Sequence, residues 1–288
     1  MIAYLNGKYQ QADTCTISPL DRGFLFGDGV YEVLPVYHGA IFRCDDHLRR
    51  LNHSLDSIGI NNPQTDNQWK AIFSELISRC GLSELSIYLQ ISRGPAPMRL
   101  HIPTDDIHPT VFAMTMPARA TFDKQLKQGV SVMTTDDIRW ARCDIKSTNL
   151  LANVMLSMQT QSRRCHEAIM IHEGYVTEGA SSNIFIVTEG RVSTPPLSNK
   201  ILPGITRQVV MEMARLLRVS CKEKALTRED LLHADEIWLT SSTRNIVPVT
   251  RVDEQQIGDG KPGSLWQKFS AVLMRLSIPP DEEMPVSD

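Results

Sequence analysis

The spacing of apolar residues changes several times along the chain, and each change marks an element. Met1 to Leu5 and Lys8 to Gln10 flank Asn6-Gly7, which predicts a tight β-hairpin. Alternation returns in VYEVLPVY, with Val30, Glu32, Leu34 and Val36 on one face and Tyr31, Val33, Pro35 and Tyr37 on the other. His38-Gly39 predicts a turn into a second strand, Ala40 to Cys44. The period then lengthens. Leu48, Leu51, Leu55 and Ile58 recur at helical spacing, with Asp45 or Asp46 as the cap and Gly59 as the stop. Trp69 to Cys80 predicts another amphipathic helix, ended by Gly81, and Ser86 to Ser92 and Thr110 to Met116 predict strands. Between them lies a proline-rich loop, RGPAPMRLHIP.

Strands, two helices, then strands form an α+β arrangement over 1–117, and small residues at 118–123 predict a linker. The region 124–288 differs. Short strands are predicted at Gly129–Thr134, Glu167–His172, Tyr175–Thr177, Asn183–Thr188, Arg191–Ser193, Val219–Lys224 and Glu236–Thr240. Helices are predicted over Thr148–Arg164, from Pro203-Gly204 to about Arg218, and over Ser264–Leu276. Strands this short and close do not suit βαβ repeats. They predict a largely antiparallel barrel or sandwich with outer helices.

Composition narrows the function. The 288 residues are 42% hydrophobic and 22% charged, the range of an ordinary globular protein. A net charge of -3 offers no basic excess for nucleic acid. No apolar run approaches the roughly 20 residues of a membrane span, and MIAYLNGKYQ lacks the pattern of a signal peptide. Six scattered cysteines show no metal-site spacing and predict reduced thiols in a cytoplasmic protein without a metal site.

Five constellations carry candidate chemistry. Lys146, in DIKSTNLLANVML, precedes three good N-cap residues, so a helix dipole and apolar surroundings would favour its neutral, nucleophilic form. A lone lysine is ordinarily a solvated surface residue, so its weight depends on the others. LPGITR, Leu202 to Arg207, supplies a glycine and a helix start that suit an anion. TSSTRN, Thr240 to Asn245, ends a strand in hydroxyls that suit the same anion or form a plain polar turn. Glu178 in VTEGASSNIF needs a partner if half-buried, and a protonated pyridine nitrogen would be one. Arg99 and His101, at i and i+2 of an extended loop, suit a carboxylate, although solvated loop arginines are commoner.

Together these match what a pyridoxal-phosphate enzyme requires, and the chain resembles the fold-type IV pyridoxal-phosphate aminotransferases, most closely the D-amino-acid aminotransferases. The likeness runs from about Met1 to Lys268 and is sharpest in DRGFLFGDGVYEVLPVYHG, DDIRWARCDIKSTNLLANVM, VTEGASSNIF and ILPGITR. The resemblance implies a smaller N-terminal α/β sandwich domain, a larger pseudo-barrel domain that binds pyridoxal 5'-phosphate, and a homodimer. It implies that Lys146 links to the cofactor and shuttles the substrate Cα proton. Glu178 would pair the ring nitrogen, and Leu202 would support the ring. Arg50, Gly204, Ile205, Thr206, Ser241 and Ser242 would hold the phosphate. Tyr31, Val33, Ser181 and Ser182 would line the substrate site. Arg99 and His101, from a loop at or across the dimer interface, would hold the substrate α-carboxylate.

Against the D-specific pattern, the stretch 93–99 is one residue longer. Arg244 replaces a small hydroxyl residue, Asn245 a glutamate and Ala180 a serine. The implied activity is transamination of D-amino acids with a 2-oxo acid such as 2-oxoglutarate or pyruvate. Branched-chain L-amino-acid aminotransferases, (R)-amine transaminases and aminodeoxychorismate lyases share the fold, and a non-catalytic cofactor-binding protein is the rival from another class.

Overall fold

In a computed structural model that describes residues 1–104, 106–118 and 128–278, Asn6 and Gly7 take φ of 46° and 93°. These are the positive values a two-residue hairpin turn needs, and they join β1 (Ile2–Leu5) to β2 (Lys8–Gln11). Of the linker expected at 118–123, residues 119–123 lie outside the described residues. The chain divides into two compact units. Of the described residues, the first comprises Met1–Ala118, Lys146–Thr148 and 274–278, and the second takes 128–145 and Asn149–Leu273.

The first unit is a six-stranded antiparallel sheet in the order β2-β1-β6-β5-β3-β4. Its remaining strands are β3 (Gly29–Tyr37), β4 (Ala40–Ile41), β5 (Leu85–Ser92) and β6 (Thr110–Pro117). A short helix, α1 (Arg22–Phe26), precedes β3. Helix α2 (Cys44–Ser57) packs on β3, and α3 (Asp66–Cys80) packs on β1 and β6. Leu48, Leu51 and Leu55 of α2, with Trp69, Phe73 and Leu76 of α3, are all buried. Each such side chain contributes about 1.5–3 kcal/mol of hydrophobic stabilisation.

The predicted strand Ala40–Cys44 is shorter than expected, because Arg43 adopts φ 57° and turns the chain into α2. Asp45 and Asp46 therefore lie in the first turn, where they favour the dipole without capping it. A capping box of Thr65 and Gln68 opens α3.

The second unit is a nine-stranded mixed sheet ordered β12-β11-β10-β13-β14-β7-β8-β9, with β15 on β14. Its strands are β7 (Val130–Asp136), β8 (Glu167–His172), β9 (Tyr175–Gly179), β10 (Asn183–Thr188), β11 (Arg191–Thr194), β12 (Cys221–Glu223), β13 (Glu236–Ser241), β14 (Asn245–Val252) and β15 (Gln255–Gln256). Its helices are α4 (Leu151–Ser162), α5 (Ile205–Leu216), α6 (Arg228–Leu232) and α7 (Ser264–Leu276). Inward residues such as Val132, Ile169, Ile184, Ile237, Leu239 and Val252 form its core.

The expected antiparallel pattern is broken where β7 pairs in parallel with β8 and with β14, and β11 with β12. Helix α4 connects β7 to its parallel neighbour β8, and α5 connects β11 to its parallel neighbour β12, so βαβ units do occur here. Strand β14 escaped the sequence pattern because Pro248 interrupts it, opposite Trp238 in the register. The predicted helix Thr148–Arg164 begins only at Leu151, with Leu150 at the N-cap and no side-chain cap. Ser147, Thr148 and Asn149 are therefore not its caps.

Candidate active site

Lys146 is set by its backbone. The segment Lys146–Thr148 runs extended beside the start of β3: Tyr31 N donates to Lys146 O (2.9 Å) and Thr148 N to Gly29 O (3.0 Å). Thr148 Oγ1 donates to Gly27 O (2.9 Å) and Gly29 O (3.2 Å), so this hydroxyl is spent on β3. Lys146 N donates to Ser54 Oγ on α2 (3.2 Å). The amine Nζ stands 4.2 Å from the centroid of the Tyr31 ring, which in turn stacks on Tyr88 at 5.7 Å. Tyr31 and Val33 share the half-exposed face of β3, and Tyr88 is the register partner of Val33. The lysine thus owes its place to strand pairing and an aromatic floor, and a helix terminus has no part in it.

The opposite face of β3 carries a buried charge. Glu32 is 1% exposed, between Val30 and Leu34. Helix α2 presents His47, Arg50 and Ser54 along one face at helical spacing. Arg50 Nε donates to Glu32 Oε1 (2.8 Å) and Nη2 to Oε2 (2.8 Å), and His47 Nδ1 lies 2.7 Å from Oε2. Burial alone would raise the Glu32 carboxyl, but the charge and hydrogen bonds of Arg50, with help from His47, hold it well below the usual carboxylate range. His47 is pushed down by burial, with the Arg50 and Lys146 charges adding to it against the pull of Glu32. The ring is therefore neutral and donates Nδ1–H to Glu32.

In the second unit Glu178, on β9, is 5% exposed. Its Oε2 accepts from Asn183 Nδ2 (3.0 Å) and Leu202 N (3.0 Å), and its Oε1 accepts from Arg139 Nη1. Arg139 also donates to both oxygens of Asp137 and to Lys200 O. Burial raises the Glu178 carboxyl to about 7, with Arg139 and the Leu202 N–H only partly offsetting it.

The same asparagine ties Glu178 to the anion-type loop. Asn183 Nδ2 donates to Leu202 O (2.9 Å), and Asn183 Oδ1 lies where a Cβ at Gly204 would fall. Only glycine fits there. Gly204 is the N-cap of α5 and offers no side chain, so the first N–H groups, at Ile205 and Thr206, have no side-chain cap. Thr240 on β13 is the register partner of Asn183, and the next residue, Ser241, has a buried Oγ without a hydrogen-bond partner. A buried hydroxyl left unsatisfied beside a bare helix start fits an anion bound at this point. Ser242 follows in the turn.

Ser181 and Ser182 belong to a neighbouring cluster. Glu167 Oε1 accepts from Ser181 N (2.7 Å) and Ser182 Oγ (2.7 Å). Arg244 Nη2 pairs with Glu167 Oε2 (2.8 Å) and donates to Ser181 Oγ, while its Nη1 donates to His166 Nε2 (3.0 Å). Burial and the adjacent Arg244 charge lower the His166 value, so its ring accepts as a neutral imidazole.

Arg99 and His101 gather elsewhere. Both are exposed and rest on α1, with Arg99 Cζ 4.8 Å and the His101 ring 5.5 Å from the Phe26 ring centroid. The first unit thus collects Lys146, Tyr31, Val33 and Arg50, with Arg99 and His101 on its α1 side. The second collects Glu178, Leu202, Gly204, Ile205, Thr206, Ser241, Ser242, Ser181 and Ser182. Sequence reasoning missed Glu32 and His47 as partners of Arg50, and Arg139, Asn183 and Glu167 as partners of the carboxylate and its turn. Glu32 left a trace, since a carboxylate at a core position of a strand demands a cation.

Comparison with known proteins gives the family. The family described as Amino-transferase class IV matches residues 29–252. A D-alanine aminotransferase of Bacillus licheniformis is 40% identical over 273 residues, 95% of this chain and 96% of that protein. One of Staphylococcus epidermidis is 36% identical over 92% of this chain and 94% of its own. Among solved structures, the branched-chain amino acid aminotransferase of Escherichia coli superposes with a TM-score of 0.89 at 24% identity, covering 96% of this chain and 94% of that one. The architecture is therefore the fold-type IV one anticipated from the sequence, and the chain belongs to the class IV aminotransferases.

Proposed function

We propose that this aminotransferase moves the amino group of D-amino acids to a 2-oxo acid, with 2-oxoglutarate or pyruvate as acceptor. The observation that carries the choice of substrate is the 40% identity, over 95% of the chain, to a protein named D-alanine aminotransferase. The branched-chain enzyme at 24% identity shares the fold and carries no weight on substrate.

Class IV aminotransferases depend on pyridoxal 5'-phosphate. The residues present fit that group. The uncapped start of α5, the unpartnered Ser241 Oγ and Ser242 in the turn after it suit its phosphate, and the family resemblance assigns Arg50 to the same group. Glu178 suits its ring nitrogen, and Leu202 the face of its ring. When bound, the cofactor supplies an electron-withdrawing ring that stabilises negative charge at the substrate Cα. Lys146 takes the proton from that Cα and returns one, held in place by the strand pairing at Tyr31. Glu178 keeps a proton on the ring nitrogen. Arg99 and His101, with Tyr31, hold the substrate α-carboxylate, and Val33, Ser181 and Ser182 line the substrate.

We place the enzyme in the cytoplasm as a homodimer. Its six cysteines are free thiols, as in a reducing compartment. On α4, Leu151, Val154, Met155 and Met158 form an exposed apolar stripe at i, i+3, i+4 and i+7, with Leu151 74% exposed. Among the described residues no helix is long and apolar enough to cross a membrane. A half-reaction panel tests the substrate: D-alanine and D-glutamate convert the bound cofactor, and L-leucine and L-isoleucine do not. Conversion by the L-amino acids alone would overturn the reading. Lys146→Ala abolishes conversion with every substrate, and survival of activity would overturn its role.

A further inference from the structure

The motif DRGFLFGDG, Asp21 to Gly29, is among the sharpest in the chain, yet it neither clamps the cofactor nor moves a proton. Its polar groups are nonetheless committed. Asp21 Oδ1 accepts from Gly23 N (2.7 Å) and Ser92 Oγ (2.7 Å), and Oδ2 accepts from Thr110 Oγ1 (2.6 Å). That bolts α1 to the ends of β5 and β6. Arg22, 4% exposed, then reaches away from the sheet. Its Nε donates to Asp28 Oδ2 (2.8 Å), its Nη1 to Leu100 O and its Nη2 to His101 O (2.9 Å). Asp28 also accepts from Arg93 Nε (2.8 Å) and Nη2 (3.1 Å). One carboxylate therefore fixes the loop where it leaves β5 and, through Arg22, where it carries His101. Burial pushes the Asp28 carboxyl up, but Arg93 and Arg22 outweigh it and keep it charged.

The start of the loop is held by its backbone, with Arg22 N donating to Gly94 O (2.9 Å), Ala96 N to Leu20 O (3.2 Å) and Ala96 buried. Further on, Met98, Leu100 and Ile102 are exposed, so apolar burial within the chain does not order the part that carries Arg99 and His101. A buried arginine that spends two donors on the carbonyls of an exposed loop is placing that loop. Phe26 adds a second element, with Arg22 Cζ and Arg99 Cζ each 4.8 Å from its centroid.

We propose that Arg22 is a positioning residue for the substrate carboxylate. It fixes the backbone at Leu100 and His101, so that Arg99 and His101 stand at a set spacing, and Phe26 gives Arg99 its resting place. This rests on the reading of Arg99 and His101 as the carboxylate anchor. A guanidinium makes three directed bonds here that an ammonium cannot reproduce. Misplacing a binding group by a fraction of an ångström weakens substrate binding without touching the reacting atoms.

The test compares Arg22→Met, Arg22→Lys, Phe26→Leu and Arg99→Ala as holoenzymes, by KM and kcat for D-alanine and by cofactor retention on dialysis. Arg22→Met raises KM about tenfold with kcat within a factor of about two and cofactor retention unchanged, and Arg22→Lys falls between it and wild type. Phe26→Leu, which keeps the buried ion pairs, gives a smaller rise in KM and serves where Arg22→Met folds poorly. In an Arg99→Ala/His101→Ala background, Arg22→Met adds no further rise. Additive effects there, or an unchanged KM in Arg22→Met and Phe26→Leu beside a raised one in Arg99→Ala, overturn the proposal alone. An unchanged KM in Arg99→Ala overturns the anchor reading itself, and the proposal with it.

Discussion

Arg139 joins Glu178 to Asp137: a single guanidinium serves two carboxylates that end with opposite shifts in acidity. Burial raises both, but hydrogen bonds from Arg139 and Thr177 hold Asp137 below its ordinary value, while Glu178 stays at about 7. Glu178 is therefore a carboxylate poised near neutrality, with Arg139 as the main influence keeping it from going higher.

Arg139→Met is expected to lift Glu178 further. Because the reaction needs this group ionised, the acidic limb of the kcat/KM profile moves to higher pH, with a loss of about tenfold at neutral pH. A pH–rate profile checks it, and an unmoved acidic limb contradicts it. The sign for stability follows from the same shift. The folded value lies above the ordinary 4.5, so the folded cofactor-free protein holds more protons between 4.5 and about 7. Glu178 thus withdraws stability as pH rises through that window, about 3 kcal/mol across it.

Glu32 behaves in the opposite way. Its folded value is depressed, so its stabilisation is present above its ordinary value and is lost as pH falls into the acid range. Glu32→Ala leaves Arg50 buried without its carboxylate and costs about 3–5 kcal/mol, measured by urea unfolding at neutral pH. His47 acts in the same direction: its folded value is lowered by burial, so as pH falls through the ordinary 6.5 the unfolded chain takes up a proton first and stability is lost.

Arg244→Ala leaves Glu167, 3% exposed, with hydrogen bonds to Ser181 and Ser182 but no cation. The turn at Ser181 and the hydroxyl turn at Ser241–Ser242 then lose their shared tie. The expected result is pyridoxal 5'-phosphate binding to the apoenzyme weakened by about tenfold, with Arg244→Lys intermediate. Equilibrium dialysis of the apoenzyme measures it, and wild-type affinity in Arg244→Ala counts against the tie.

Met158→Glu in the exposed stripe of α4 places a charge where a second copy is proposed to dock, while the buried Leu156 keeps the helix on its sheet. Sedimentation velocity is expected to show a shift from dimer toward monomer at micromolar protein. An unshifted dimer moves the interface elsewhere.

Where the apolar period is strong, the chain announced its elements. Glu167–His172 and Ser264–Leu276 are found with the bounds their patterns predict. The failures are also physical. Strand β14 carries a proline, and the hydroxyls after Lys146 could cap a helix or bond a neighbouring strand, a choice that only tertiary pairing made. The cations that face Glu178 and Glu167, Arg139 and Arg244, lie far off in sequence, Arg139 being 39 residues before Glu178. No local pattern encodes such a pairing. Glu32 was more legible, since it breaks an otherwise apolar face.

Asn183 uses one amide to touch both Glu178 Oε2 and Leu202 O, with its oxygen against Gly204. That makes it a gauge block. The span from the carboxylate to the bare helix end is set by a side chain that is rigid, buried and wedged on three sides. A ligand that reaches both ends must match that span, so this residue would exclude cofactors of another length before any reacting atom was in place. Redesign toward a different cofactor would begin at Asn183 and Gly204 together, because neither can change size alone.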